Sequence, residues 1–130
     1  MKQVVCFGEV LWDLFPDGKK LSGAPLNVAL RMKSWGVNSQ MISSFGIDTL
    51  GKEIISHIKE QGLDPKYIQI SGEFDTGIVI VTLNQQDSVS YEINHPVGWD
   101  KIELLPEHKK LVSTSDAFVF GSLVARASIS

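Results

Sequence analysis

Residues 4–46 read VVCFGEVLWDLFPDGKKLSGAPLNVALRMKSWGVNSQMISSFG and predict a strand, a helix and a second strand in that order. Val4 to Phe7 is a short apolar run typical of a buried strand. Pro25 to Trp35 places apolar side chains at helical spacing, which predicts an amphipathic helix. Gln40 to Phe45 predicts the second strand. A strand, a helix and a strand in succession favour parallel pairing in one sheet.

The same order continues beyond this stretch and then changes. Asp48 or Thr49 is placed to cap a second helix, and Tyr67 to Ile70 predicts a third strand. Gly77 to Leu83 and Ser88 to Asn94 are β-rich runs on either side of a polar turn, which predicts a hairpin. The sequence therefore predicts an α/β fold with an appended β-hairpin.

Composition excludes several classes of function. The chain has 130 residues, 43% hydrophobic and 21% charged, which is typical of a soluble domain with a single core. Its formal net charge of −3 is spread along the chain, which argues against a nucleic-acid partner or a polybasic membrane patch. Cys6 is the only cysteine, and the apolar runs are too short for a signal sequence or a membrane span. We therefore expect a cytoplasmic protein without metal ligands, nucleic acid or membrane as partners.

A small set of polar and glycine-rich positions remains as a candidate ligand site. Asp13 can accept two hydroxyl protons, Gly23 allows a ligand to approach the backbone, and Asn27 can donate and accept. In an α/β sheet these positions would surround the crevice where ligands usually bind. From the pattern alone, a turn aspartate and an asparagine in the first turn of a helix more often have structural roles.

Two longer motifs carry a resemblance to a known family. The stretch Gly8-Glu9-Val10-Leu11-Trp12-Asp13-Leu14-Phe15-Pro16 is followed by Ser22-Gly23-Ala24-Pro25-Leu26-Asn27-Val28-Ala29, and together they resemble a fructokinase-type sugar kinase of the ribokinase (PfkB) family. The turn from Phe45 to Gly51, the segment Tyr91-Glu92-Ile93 and the segment from Phe120 to Leu123 continue the similarity. Ser22 stands where the family usually has glycine.

The resemblance implies a ribokinase-like fold, a Rossmann-like parallel sheet with flanking helices plus a β-hairpin lid. Residues 1–130 would form the N-terminal part of the kinase domain, incomplete at the C-terminus, with lid strands at about 10–15 and 77–94. The implied sugar contacts are Asp13, Gly23, Ala24, Asn27, Tyr91 and Asn94. Asp116 to Phe120 has the apolar pattern of a buried strand, although Phe118, Phe120 and Leu123 should lie partly uncovered if the covering elements follow residue 130.

The implied activity is transfer of the ATP γ-phosphate to a hydroxyl of a free sugar, fructose first, with ATP and Mg²⁺ as cofactors of the full-length protein. The Gly-Ala-Gly-Asp motif that supplies the family's catalytic Asp is absent, so no catalytic, ATP-binding or metal residue is expected in this chain, which alone should be inactive. The partners implied are a small-molecule sugar and a second copy through the lid. Alternatives are a kinase for another ketose, a sugar acid or a nucleoside, and a non-catalytic sugar-binding remnant.

Overall fold

A computed structural model describes residues 2–83, 89–93 and 95–121. In chain order the elements are β1 (Gln3–Phe7), β2 (Leu11–Phe15), β3 (Gly18–Ser22), α1 (Ala24–Ser34), β4 (Asn38–Gly46), α2 (Thr49–Glu60), β5 (Ile68–Ser71), β6 (Gly77–Leu83), β7 (Val89–Ile93), α3 (Pro106–Ser113) and β8 (Ala117–Phe120). Short 3₁₀ turns at Pro65–Tyr67 and Gly98–Lys101 join them.

The body sheet is parallel, with strand order β5-β4-β1-β8. Its two faces bury different neighbours, because successive side chains of a strand point to opposite sides. On one face, Cys6 packs with Leu26 of α1 and Ile54 of α2. On the other, Val5 packs with Trp99 and with Leu111 of α3. The predicted parallel α/β arrangement is confirmed, with helices covering both faces.

The lone thiol of Cys6 lies within this core. The residue has no exposed surface, and burial raises the pKa of its thiol to about 11. A thiol in such surroundings is a small apolar group that packs, because only the thiolate is reactive. The structure therefore gives Cys6 the role of a buried strand residue.

The side sheet has strand order β3-β2-β6-β7. Strands β2 and β6 run parallel, whereas β2–β3 and β6–β7 are antiparallel. The predicted hairpin is β6–β7, while its turn, residues 84–88, lies outside the described residues. Sequence reasoning missed β3, where Lys19 and Lys20 give no apolar alternation, and treated Ser22 as part of a loop. It also missed α3.

Strand β8 is an edge of the body sheet. Phe118 and Phe120 are 43% and 65% exposed, so the prediction that this strand is buried is wrong, because within residues 2–83, 89–93 and 95–121 β8 pairs with β1 alone. Their exposure agrees with the expectation that they lie partly uncovered, and Leu123 is outside the described residues. Of the helices within the described ranges, none is long and apolar enough to cross a membrane.

Candidate sugar site

Asp13 lies at the centre of β2, half-buried, and is held by a neighbouring hydroxyl. Ser22 Oγ, at the end of β3, donates to Asp13 Oδ2 at 2.6 Å. The strand register explains the contact, since Ser22 lies opposite Leu11 and is therefore the diagonal neighbour of Asp13 on the same face. Antiparallel pairing thus places a carboxylate and a hydroxyl side by side immediately before the Gly23 loop.

Gly23 is fixed by a close approach of two backbone segments. Its φ is +119°, a conformation that side chains rarely adopt, and a Cβ there would collide with the carbonyl oxygen of Glu9. Gly23 is also the N-cap of α1, and its carbonyl accepts from the backbone N–H of Asn27 at 2.9 Å. Only glycine can close the loop against the end of β1.

The first turn of α1 presents the remaining loop positions to solvent. Ala24 and Asn27 are both exposed, while Pro25 between them is buried. The Asn27 side chain makes no hydrogen bond with any other part of the chain that the structure describes. Gly23, Ala24 and Asn27 thus form a loop and helix start that directly follow the Asp13–Ser22 pair, and Asn27 is exposed.

Tyr91 is farther away. Asp13 pairs with Val79 of β6, and Val81 pairs with Tyr91 of β7, so Asp13 and Tyr91 lie on the same face of the side sheet. Two strand spacings separate β2 from β7, roughly 10 Å. Tyr91 is 68% exposed and Asn94 lies outside the described residues. Tyr91 thus lies apart from Asp13 and the Gly23 loop.

Asp48 has a structural role at the junction between the sheets. Its carboxylate accepts from Gly51 N at 2.9 Å, Thr76 N at 3.0 Å and Thr76 Oγ1 at 2.6 Å. Burial acts to raise the pKa of Asp48, but these hydrogen bonds outweigh it and hold the pKa below its ordinary value. Thr76 in turn accepts from Gly46 N at 3.0 Å. The carboxylate caps α2 and ties it to the start of β6.

Glu9 is a buried carboxyl group that sequence reasoning did not single out. It is 5% exposed, and its Oε2 has no hydrogen-bond partner among the residues the structure describes. Burial raises its pKa, against a hydrogen bond from its own backbone N–H that lowers it. A Cβ added at Gly121 would lie 3.5 Å from Glu9 Oε1. An acidic residue between Phe7 and Val10, in an otherwise apolar run, was the available signal.

The described residues hold no group of three His, Cys, Asp or Glu side chains that could bind a metal ion. The arrangement around Asp13 can instead accept and donate hydrogen bonds to a neutral polar ligand. Its charged member is one carboxylate. The expected space for a ligand against the backbone at Gly23 is filled by the Glu9 carbonyl, so this glycine serves the packing of the loop. The polar groups around Asp13 are able to hydrogen-bond a ligand that carries hydroxyl groups.

Comparison with known proteins supports the family resemblance seen in the sequence. Residues 1–129 match the model of the pfkB family carbohydrate kinases. The chain is 30% identical over 104 residues to an ATP-dependent 6-phosphofructokinase of Thermoanaerobacterium thermosaccharolyticum, covering 75% of this chain and 31% of that protein. It is 30% identical over 133 residues to fructokinase-2 of Oryza sativa subsp. japonica, covering 92% of this chain and 40% of that protein.

A solved structure shares the fold. The crystal structure of an uncharacterized sugar kinase from Pyrococcus horikoshii in complex with ATP superposes with a TM-score of 0.82 at 27% identity, covering 96% of this chain and 45% of that one. The chain thus spans less than half the length of the proteins it matches. Since the match to the family extends over nearly every residue, the chain belongs to the pfkB family of carbohydrate kinases.

Proposed function

We propose that this chain forms the sugar-binding part of an ATP-dependent sugar kinase that phosphorylates a hydroxyl of a free sugar, with fructose as the first substrate to test. The observation that carries the proposal is the half-buried Asp13 carboxylate beside the Gly23 loop, in a chain whose family is carbohydrate kinases. The rice relative at 30% identity is a fructokinase, which supports fructose.

In this proposal each residue has a physical task. Asp13 accepts a hydrogen bond from a sugar hydroxyl, Gly23 closes the loop beside the sugar and Ala24 shapes it, and Asn27 offers an amide donor and acceptor. The side sheet acts as a lid, with Tyr91 and Asn94 as its contacts. A homodimer through this sheet stays a prediction, supported by exposed apolar side chains of β7 such as Val89 and Ile93.

ATP and Mg²⁺ are proposed as cofactors of the full-length protein rather than of these residues. The described residues include no acidic cluster for Mg²⁺. Bound ATP would supply the phosphoryl group, and Mg²⁺ would neutralise its charge. Residues 1–130 would contribute the positioning of the sugar and the exclusion of water, as the N-terminal part of the kinase domain.

Related substrates form the alternatives. Another ketose, a sugar acid or a nucleoside would differ in the groups presented to the loop and to the side sheet. Fructose 6-phosphate joins the test panel because one relative is a 6-phosphofructokinase. A sugar-binding remnant without catalysis is the non-enzymatic alternative.

The test is a kinetic comparison of Asp13→Ala with Asp17→Ala in the full-length protein, using this panel and MgATP. Asp17 is the control because it is an exposed aspartate in the nearby β2–β3 turn. Loss of a charged acceptor and of substrate orientation should lower kcat/KM for the sugar by about 100-fold in Asp13→Ala. The KM for ATP should stay within about twofold, since Asp13 is proposed to touch only the sugar.

Three results would contradict the proposal. One is wild-type kinetics in Asp13→Ala, and a second is an equal loss in Asp17→Ala. The third is turnover by the 130-residue chain alone, which we expect to be inactive because half of a site cannot orient both reactants.

A further inference from the structure

We propose that Ser22 is a specificity-determining residue of the sugar site, which pairs with Asp13 to recognise two hydroxyl groups of the substrate. The inference rests on the proposed function and deepens it. It starts from the 2.6 Å hydrogen bond between Ser22 Oγ and Asp13 Oδ2. That bond assigns different tasks to the two oxygens of one carboxylate.

The hydrogen bond is short and charge-assisted. A separation of 2.6 Å lies in the range of hydroxyl-to-carboxylate bonds, which are stronger than neutral ones. The Ser22 proton is therefore committed to Asp13. Asp13 Oδ2 is occupied, whereas Oδ1 has no hydrogen-bond donor among residues 2–83, 89–93 and 95–121.

Two acceptors and no free donor then face the ligand. A hydroxyl oxygen that donates its proton retains lone pairs, so Ser22 Oγ can accept from a ligand while it donates to Asp13. Asp13 Oδ1 is the second acceptor. The pair suits two hydroxyl groups of a sugar and disfavours an ionised carboxylate or a dianionic phosphate group at this position, because neither has a proton to donate to it.

The backbone holds this pair rigidly. Ser22 is paired with Leu11 in the β2–β3 ladder, and the next residue is Gly23, whose α-carbon lies against the Glu9 carbonyl. Ser22 is thus fixed from both sides, and through it the orientation of Asp13 is coupled to the loop. A glycine at position 22 would leave both carboxylate oxygens free and the carboxylate less restrained.

The experiment is a cycle between enzyme variants and substrate analogues. Ser22→Ala, Ser22→Thr and wild-type full-length protein are assayed with fructose and its monodeoxy analogues at saturating MgATP. Ser34→Ala is the matched control, because Ser34 Oγ also makes a 2.6 Å hydrogen bond, to Arg31 O at the far end of α1. Urea midpoints of all variants accompany the kinetics.

We expect Ser22→Ala to lower kcat/KM for fructose roughly tenfold, while Ser22→Thr, which keeps the hydroxyl, stays within about threefold. For one deoxy analogue, kcat/KM of the wild type should fall roughly tenfold relative to fructose. The kcat/KM of Ser22→Ala should not fall further, since the missing contact cannot be lost twice. Ser34→Ala should have the kcat/KM of the wild type. The urea midpoint of Ser22→Ala should be close to that of the wild type.

Other outcomes overturn the inference. Ser22→Ala with wild-type kinetics for every sugar removes Ser22 from recognition. If all deoxy analogues lower kcat/KM of Ser22→Ala further and by the same factor, Ser22 is a purely structural residue. The same holds if Ser22→Thr loses as much activity as Ser22→Ala. If wild type phosphorylates no sugar of the panel, the proposed function fails first, and this inference fails with it.

Discussion

Backbone hydrogen bonds hold the strands of both sheets together, but the body sheet is more buried than the side sheet. In β1, Val5 and Cys6 have no exposed surface, whereas every residue of β7 is exposed, Tyr91 by 68%. Helices cover both faces of the body sheet, while the side sheet packs on the body core through side chains of β2, β3 and β6, such as Trp12, Leu21 and Ile78. Burial in the body therefore supplies most of the stability, and the side sheet leaves side chains free to meet a ligand.

The largest expected effect is in the body. Phe45→Ala removes a fully buried ring from β4 and should cost about 3–5 kcal/mol, a large share of the stability of a small domain. Phe15→Ala, in β2, removes a ring that is 40% exposed and should cost less than half as much. Urea unfolding followed by circular dichroism measures both. Equal losses would show that the side sheet is as much a core element as the body.

The next effect concerns the junction of the two sheets. Asp48→Ala leaves Thr76 and Gly51 donors without their acceptor and should cost about 1–3 kcal/mol at neutral pH. Because the native pKa of Asp48 is lowered, its contribution is present above the unfolded-state pKa and is lost as pH falls through the native pKa. Unfolding free energies of the two proteins should therefore converge in acid. A difference that does not depend on pH would contradict the role of the charge.

The smallest effect is expected where the side sheet contacts α2. Trp12 Nε1 donates to Leu50 O at 3.1 Å, and Lys19 Nζ lies 2.9 Å from Glu53 Oε2. Trp12→Phe keeps most of the buried ring and loses the hydrogen bond, which should lower the free energy of unfolding by about 1 kcal/mol. Amide hydrogen exchange should become faster in β2 and β3 and stay unchanged in β1. Faster exchange throughout the body would show that the two sheets unfold as one unit.

The same contrast explains what the sequence could predict. The body strands and the helices α1 and α2 were predictable because each carries its own signal, such as the apolar run at Val4 or the Asp48 cap of α2. Strand β3 was not, since Lys19 and Lys20 gain strand geometry only by pairing with β2. In α3, Pro106 starts the helix, but charged and polar residues leave only Leu111 buried among its apolar side chains.

The candidate site was predictable in part. The residues Asp13, Gly23, Ala24 and Asn27 came from motifs and family resemblance, and their roles in binding stay a prediction; Gly23, Ala24 and Asn27 follow Ser22, the hydrogen-bond partner of Asp13. The hydrogen bond between Ser22 and Asp13 depends on the register of two strands, which no local pattern specifies. The contact between Glu9 and Gly121 likewise joins residues that are far apart in sequence. Tertiary pairing, rather than composition, decides these features.

Cys6 allows the opening of the body sheet to be measured separately from that of the side sheet. As the only cysteine, fully buried in β1 with a thiol pKa of about 11, it is shielded from a thiol-reactive reagent while the body remains folded. Opening of the side sheet alone leaves Cys6 covered by α1 and α2. The rate at which the reagent labels Cys6 therefore measures opening of the body, and the native chain needs no engineered probe.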